Sequence, residues 1–111
     1  MMIANRKLKL RRGSDDAEME VRLYLPEKLE NGLWLCRYEV DWPHGTWKHA
    51  AQGIDSIQSI MLAFQMIGSE LYASEYHKSG ALVFEASSRG YGFPVSNSLR
   101  DLLIGDDAKY L

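Results

Sequence analysis

The segment over residues 50–61 constrains the fold of this chain more than any other stretch. It ends an alternating pattern typical of a strand, breaks at Gly53, and continues into apolar residues at helical spacing. Asp55 can cap the helix by accepting hydrogen bonds from its free backbone amides. Gln58, three residues later, can reach back toward the cap backbone, as in a capping box. The segment therefore predicts a strand end, a glycine break and one long helix over Asp55–Glu75.

The predicted helix carries apolar residues on two faces. One arc contains Gly68, where close approach of a strand backbone would explain a glycine inside a helix. On the opposite, mostly polar arc, Leu62 and Met66 lie four residues apart and therefore touch. Two interpretations of this pair stay open: isolated surface apolar residues, which are common, or a docking stripe for a partner chain. The arc expected to pack on a sheet comprises Ile57, Ile60, Met61, Phe64, Ile67, Leu71 and Tyr72.

Length and composition indicate a single globular domain over residues 1–111. The hydrophobic fraction of 46% and the charged fraction of 25% are ordinary for such a domain. No apolar run reaches membrane-spanning length, and the N-terminus lacks the apolar core of a signal peptide. The single cysteine, Cys36, excludes an internal disulfide. These features predict a cytoplasmic protein with no membrane partner.

The first predicted hairpin neutralises part of a basic N-terminal run. Residues 1–12 carry five basic residues and no acid, whereas the rest of the chain carries eight basic and fifteen acidic residues. A basic arm of this kind can bind nucleic acid. Alternation across a glycine-containing turn pairs Leu10 with Met19, however, and this places Lys9 opposite Glu20. The opposite charges favour a hairpin in which the basic run serves the fold.

A second hairpin is predicted from residues 33–41 and 46–52, with one apolar, aromatic face and one charged face. After the helix, a short apolar strand is expected over residues 81–84, then a short helix ending at Ile104 and a frayed tail. The fold class is therefore α+β: a mainly antiparallel sheet of about five strands, with the long helix on one face. The expected cross-strand pairs are Val40 with Trp47, Tyr38 with His49, Cys36 with Ala51 and Glu39 with Lys48.

The tryptophans suggest where a partner could bind. Trp34 and Trp47 are expected in the core, whereas Trp42 lies at the tip of the second hairpin and is expected to be exposed. An exposed tryptophan is a common interface anchor; the alternative is packing of Trp42 across its own turn. Leu62, Met66 and Trp42 are therefore the candidate partner-binding residues. The expected partner is another protein or a second copy of the chain.

The predicted glycine-rich loop over residues 87–94 contains a possible RNA signature. Arg89-Gly90-Tyr91-Gly92-Phe93 matches the first five positions of the RNA-recognition signature. That signature lies on a central strand whose aromatic rings stack on bases, but Pro94 would remove a ladder hydrogen bond here. The alternative is a turn whose aromatic residues fold onto the core edge. The residues that would carry nucleic-acid binding, the less favoured function, are Arg6, Lys7, Arg89 and Tyr91.

The sequence predicts no enzyme, cofactor or metal site. Cys36, Tyr38 and His49 can share one sheet face, but a catalytic thiol needs a base and usually a third group that orients the base. A lone cysteine on an apolar face is usually a core residue, so a pocket near these three residues is a minor hypothesis. The histidines lack metal-ligand spacing. The paired carboxylates at residues 15–16 and 106–107 lie in a turn and in the tail, and are expected to be solvated.

Three short motifs carry a resemblance to a family: Cys36-Arg37-Tyr38-Glu39-Val40, Gly53-Ile54-Asp55-Ser56-Ile57-Gln58-Ser59 and Gly92-Phe93-Pro94. In this order they resemble an uncharacterised family of small bacterial domains with a Gly-Ile/Val-Asp-x-x-Gln helix start and a closing Gly-Phe-Pro. The resemblance implies a bacterial cytoplasmic protein and supplies no catalytic residues. More loosely, the architecture is similar to toxin-neutralising immunity proteins. The expected function is a non-catalytic protein-binding module, immunity-type or regulatory in role.

Overall fold

A computed structural model describes residues 1–86 and 89–111, and it contains one six-stranded antiparallel sheet with a long helix packed on one face. The predicted α+β class is confirmed, including the short helix near the C-terminus. The strands are β1 (Met2–Arg12), β2 (Asp15–Tyr24), β3 (Glu27–Lys28), β4 (Trp34–Trp42), β5 (Gly45–Gly53) and β6 (Leu82–Val83). The helices are α1 (Ser56–Ala73), α2 (Glu75–Lys78) and α3 (Gly105–Tyr110), with a 3₁₀ helix over Asn97–Leu102.

The order of the strands leaves β5 at one edge of the sheet. β4 pairs with β5 along one side and with β2 and the short β3 along the other. β1 pairs with β2 and, on its far side, with the predicted apolar strand β6. β5 is nine residues long, and within the described residues its only partner is β4. Its outer edge therefore carries no strand.

The second hairpin has the predicted register. Val40 lies opposite Trp47, Tyr38 lies opposite His49, and the remaining predicted pairs also form. Turn length, alternation and cross-strand charge all specify the same pairing, and a slip of one residue would exchange the apolar and charged faces.

The first hairpin forms with its register shifted by two residues from the prediction. Leu10 lies opposite Ala17 rather than Met19, because the turn between the strands is only two residues long. A two-residue shift keeps each side chain on its predicted face, since the side-chain period of a strand is two. Lys9 therefore still faces an acid, Glu18 in place of Glu20.

The predicted start of α1 is confirmed. Asp55 is the N-cap, and its Oδ1 accepts from the backbone amide of Gln58 at 2.7 Å. The Gln58 Oε1 reaches back to the amide of Ile54 at 2.7 Å, one residue before the cap itself. At Gly53 a Cβ would lie 2.5 Å from the backbone nitrogen of Ser59. The glycine break therefore lets the end of β5 run directly under the first turn of the helix.

The buried face of α1 matches the prediction in the second half of the helix, where Ile67, Leu71 and Tyr72 are buried, and is rotated in the first half. Ile57 and Met61 were expected against the sheet, but they are 67% and 57% exposed. Ser59 and Ala63 are instead completely buried. The physical reason is that the end of β5 passes directly under the first turns of α1, with Gly53 against Ser59, so small helix residues face the sheet there.

The chain after β6 packs against the side of α1 that carries Phe64 and Gly68. A Cβ on Gly68 would lie 1.8 Å from the Pro94 carbonyl oxygen. A backbone does approach this glycine closely, as predicted, but it belongs to the segment after β6 and not to a strand. Phe93 packs against Phe64, with 6.0 Å between ring centroids. No helix in the described residues is both long and apolar enough to cross a membrane.

Candidate functional site

A groove of about 620 Å³ lies between β5 and α1. Leu62 and Met66, the predicted docking stripe, are half-buried and line the helix side of this groove. Trp47 lines the strand side, and Leu99 of the 3₁₀ helix also contributes to the lining. The stripe is therefore one wall of a concave surface rather than a convex outer face.

Trp42 and Trp47 have exchanged their predicted environments. Trp42 is only 7% exposed and stacks on Tyr76 with 5.4 Å between ring centroids, so the prediction that it is exposed is wrong. Trp47, expected in the core, is 43% exposed. Both side chains lie on the sheet face that carries α1, but Trp42 is covered by α2, whereas Trp47 stands on the outer strand. Trp47 is therefore the tryptophan that is available as an anchor.

His49 lies beside Trp47 in the groove. Its ring contacts that of Trp47 edge-on, with 5.7 Å between centroids, and stacks on Tyr38 at 6.2 Å. The His49 Nδ1 accepts a hydrogen bond from the backbone amide of Ala50 at 2.8 Å. One donor of β5 is thus already bonded to a side chain, a way of blunting an edge strand against unwanted pairing.

The cluster of Cys36, Tyr38 and His49 does share one sheet face. Cys36 is fully buried, and burial raises the pKa of its thiol. Its Sγ lies 3.5 Å from the carbonyl oxygen of Tyr24, in donor geometry. Because Tyr38 is also buried, only His49 reaches the surface. The cluster therefore exposes neither its thiol nor its phenol.

The sheet face opposite α1 carries a charged network around Arg22. Its guanidinium donates to Asp41 at 2.6 and 2.7 Å, to Glu20 at 2.8 Å and to Glu39 at 3.0 Å. The hydroxyl of Tyr24 donates to Glu39 at 2.6 Å. The bond from Arg22 lowers the pKa of Asp41, and the bond from Tyr24 is the main cause that lowers the pKa of Glu39. Three carboxylates thus share the guanidinium of Arg22, and Lys48 lies 3.9 Å from Glu39.

The loop over residues 89–93 binds the chain's own C-terminal segment. The Asp107 carboxylate accepts from the backbone amides of Tyr91 and Gly92, both at 2.8 Å, and from the hydroxyl of Tyr72 at 2.6 Å. Asp107 is 2% exposed, so the predictions of a solvated carboxylate and a frayed tail are both wrong. Three hydrogen bonds to one carboxylate offset its burial. Ser87 and Ser88, at the start of the predicted loop, lie outside the described residues.

Tyr91 is part of the same buried contact. It is 2% exposed, its ring packs on Tyr72 with 5.0 Å between centroids, and its hydroxyl bonds to the His77 Nδ1. Burial raises the pKa of Tyr91 to about 12 and lowers the pKa of His77. The tyrosine hydroxyl is therefore the donor and the neutral imidazole the acceptor. The Tyr91 ring therefore has no exposed face on which a nucleic-acid base could stack.

The four residues predicted for nucleic-acid binding do not form one exposed surface. Arg6 lies on the core face of β1, where its guanidinium is half-buried. Lys7 is on the opposite face, 3.6 Å from Glu18, and Arg89 is 2.7 Å from Asp106. With Tyr91 buried, only Lys7 and Arg89 are open to solvent, and each lies beside an acid.

Sequence reasoning missed the role of Asp107. An acid near the end of a chain carries no periodic signal, so it was assigned to solvent. The sequence signal that could have indicated this contact is the pair of glycines around Tyr91, since glycines let a backbone approach another group closely. The RNA-like motif is therefore a carboxylate-binding turn within the fold.

The motifs that carry the family resemblance also have structural roles, in the helix cap at Asp55 and in the contact of Pro94 with Gly68. The profile of one family, described as a domain of unknown function (DUF6968), matches residues 4–95. No curated protein and no solved structure matches the chain. The predicted membership of an uncharacterised family is confirmed, while a bacterial origin and a likeness to immunity proteins stay predictions. The chain belongs to the DUF6968 family of domains of unknown function.

Proposed function

We propose that this protein is a non-catalytic protein-binding module that takes an extended segment of a partner between β5 and α1. The observation that carries the proposal is the juxtaposition of an unpaired strand edge with an apolar groove. An extended segment can add to such an edge as a further strand, and its alternate side chains then enter the neighbouring groove.

The backbone of β5 supports the proposed pairing. The strand is nine residues long, and its outer edge carries no strand in the described part of the chain. An edge of this length presents a row of amide and carbonyl groups that main-chain hydrogen bonds from a partner can satisfy. The bond from Ala50 to His49 has to be exchanged when a strand adds. Breaking this bond costs free energy, which contacts in the groove can offset. The edge therefore favours a partner whose side chains fit the groove over an arbitrary exposed strand.

The side chains of the groove support recognition of an apolar residue. Trp47 is 43% exposed, and tryptophan is among the residues that contribute most to interface affinity. Leu62 and Met66 form the apolar wall that faces it, and the flexible thioether of Met66 can adapt to the shape of a partner. Glu70 and Gln65 line the same groove and supply polar groups at its margin.

The finer part of the proposal is an immunity-type or regulatory role. It is supported only by architecture, which does not determine function. A toxin gene beside this gene, together with rescue of growth when both are expressed, would favour the immunity role. A toxin whose effect is unchanged by this protein would leave the regulatory role as the proposal.

The experiment compares three full-length variants with the natural chain. Trp47→Ala and Met66→Glu alter the groove, whereas Ile54→Glu changes an apolar residue that is 73% exposed outside the groove lining. Tagged proteins are used for quantitative capture of partners, and sedimentation reports self-association. We expect the captured partner, or the dimer, to be lost from both groove variants and retained by Ile54→Glu. Identical capture and oligomeric state in all three variants would rule out the groove.

A further inference from the structure

A second cavity, separate from the groove beside β5, lies on the side of α1 that carries Phe64 and Ile67. It has a volume of about 380 Å³, opens to solvent, and is bounded by the sheet, α1, residues 92–94 and Leu111. This volume falls in the range of small-molecule sites, which are typically apolar with a few polar groups. The apolar walls include Ala4, Val21 and Leu23 of the sheet, Phe64 and Ile67 of α1, and Phe93.

Arg6 supplies the charged side chain of this cavity. Its Nη1 donates to the carbonyl oxygens of Tyr91 at 2.9 Å and Gly92 at 3.2 Å. Its guanidinium also lies over the rings of Phe84 and Phe93, at 4.6 and 5.0 Å from their centroids. These contacts hold the cation in place on the core face of the sheet.

Arg6 forms no ion pair with any group in the described residues. In residues 1–86 and 89–111, no carboxylate oxygen lies within 4.0 Å of its guanidinium. The part of this cation that is out of water gains from a counter-charge, because partial desolvation strengthens an ion pair. Arginine has five N–H donors, and Nη2 and Nε make no hydrogen bond within the described residues. The side of the guanidinium suited to bidentate binding is therefore unused.

We propose that this cavity binds a small amphipathic carboxylate. The carboxylate meets Arg6, and the aliphatic chain lies between the sheet floor and Phe64. The apolar strip of α1 continues outward from Phe64 through Met61 and Ile57, one and two helical turns earlier, which are 57% and 67% exposed. A longer chain would cover this strip. The proposal is independent of the partner groove beside β5.

The first experiment separates anion recognition from hydrophobic filling. Octanoate, octanol and octylammonium, which share one chain length, are titrated into the full-length protein by NMR and calorimetry. We expect octanoate to bind at least about tenfold more tightly than octanol, the effect of one charge-assisted hydrogen bond, and octylammonium to bind most weakly. The amide signals of Leu23 and Phe93 should shift. Equal affinities for octanoate and octanol, or no shift at these amides, would overturn the proposal.

The second experiment uses matched variants. Arg6→Gln should lose the preference for octanoate while keeping octanol binding. Arg11→Gln, the same charge change on an exposed residue of the same strand, should behave like the natural chain. Ala4→Phe fills the cavity from an exposed position and should abolish binding of all three probes, which keeps the test valid if Arg6→Gln does not fold. Unchanged octanoate binding by Ala4→Phe would contradict the assignment.

Discussion

The two sides of α1 carry similar apolar patterns but end in different environments. On one side, the C-terminal segment covers the helix, with Pro94 against Gly68 and the Asp107 carboxylate bonded to Tyr72. On the other, Leu62 and Met66 face a groove beside an unpaired strand. On the covered side, the Asp107 carboxylate and its three donors satisfy one another, and the cavity beside Arg6 leaves room for a small molecule. The open side leaves backbone groups and apolar surface for another molecule, which is why we assign the partner site there.

The largest contrast between covered and open positions is expected for the two tryptophans of the second hairpin. Trp42→Ala removes a side chain that is 7% exposed and should lower the free energy of unfolding by about 3–5 kcal/mol. Trp47→Ala removes one that is 43% exposed and should lower it by about 1 kcal/mol or less. Denaturant unfolding of both variants measures the contrast. Equal losses would mean that Trp47 serves the core and not a partner.

The next largest effect is expected at the buried carboxylate. Asp107→Ala leaves two backbone amides and the Tyr72 hydroxyl without their acceptor, which should cost about 3 kcal/mol of unfolding free energy. Asp106→Ala is the matched control, because the Asp106 carboxylate makes an exposed ion pair with Arg89 and its removal should change the unfolding free energy far less. Equal effects in thermal or chemical unfolding would show that the covered side of α1 does not depend on this contact.

A smaller loss of unfolding free energy is expected where Pro94 contacts α1. Gly68→Ala would normally strengthen a helix, but here its Cβ would collide with the Pro94 carbonyl oxygen. We expect a net loss of about 2 kcal/mol from the forced shift of the backbone. Ser69→Ala changes the next residue, which lines the open groove, and should alter stability by about 0.5 kcal/mol or less. A stabilised Gly68→Ala protein would contradict the close contact.

The pH dependence of stability should report on the covered side as well. Burial lowers the pKa of His77 from 6.5, so the unfolded state binds more protons than the folded state just below pH 6.5. Stability should therefore be fully present above pH 6.5 and fall as the pH is lowered toward the folded pKa, with a slope of at most about 1.4 kcal/mol per pH unit for one proton. His77→Gln should remove this slope. An unchanged slope in that variant would assign it to another group.

The smallest expected effect concerns nucleic acid. Because Tyr91 is buried and Arg89 is paired with Asp106, we expect no mobility shift with single-stranded RNA or DNA even at low salt. A salt-dependent shift that Lys7→Glu abolishes and Ile54→Glu retains would support the nucleic-acid alternative instead.

Local sequence predicted the hairpins and the start of α1 because the relevant forces act over a few residues. The Asp55 cap and the glycine break at Gly53 form as expected, and the strand predicted over residues 33–41 forms as Trp34–Trp42. The register of the first hairpin was the partial failure. Alternation determines which face a residue occupies, but a two-residue shift preserves that face and only turn length distinguishes the two registers.

The candidate site was predicted only in part. Leu62 and Met66 were identified because apolar residues stood on a polar arc, and they do line the groove. Trp47 was assigned to the core because its strand face is apolar. Its exposure depends on β5 being the outer strand, and strand order is a property of the whole sheet. Arg6 was read as part of a basic run, since nothing local indicates that it lies on the core face beside an apolar cavity.

The sequence by itself determined the α+β class, the second hairpin, the helix cap and the apolar character of both sides of α1. Tertiary structure alone decided which of those sides is covered and which is open. The reason is that helical periodicity specifies an angle around the helix axis, whereas burial depends on which distant segment packs at that angle. Here the chain places Pro94 and Asp107 on one side and leaves the edge of β5 beside the other.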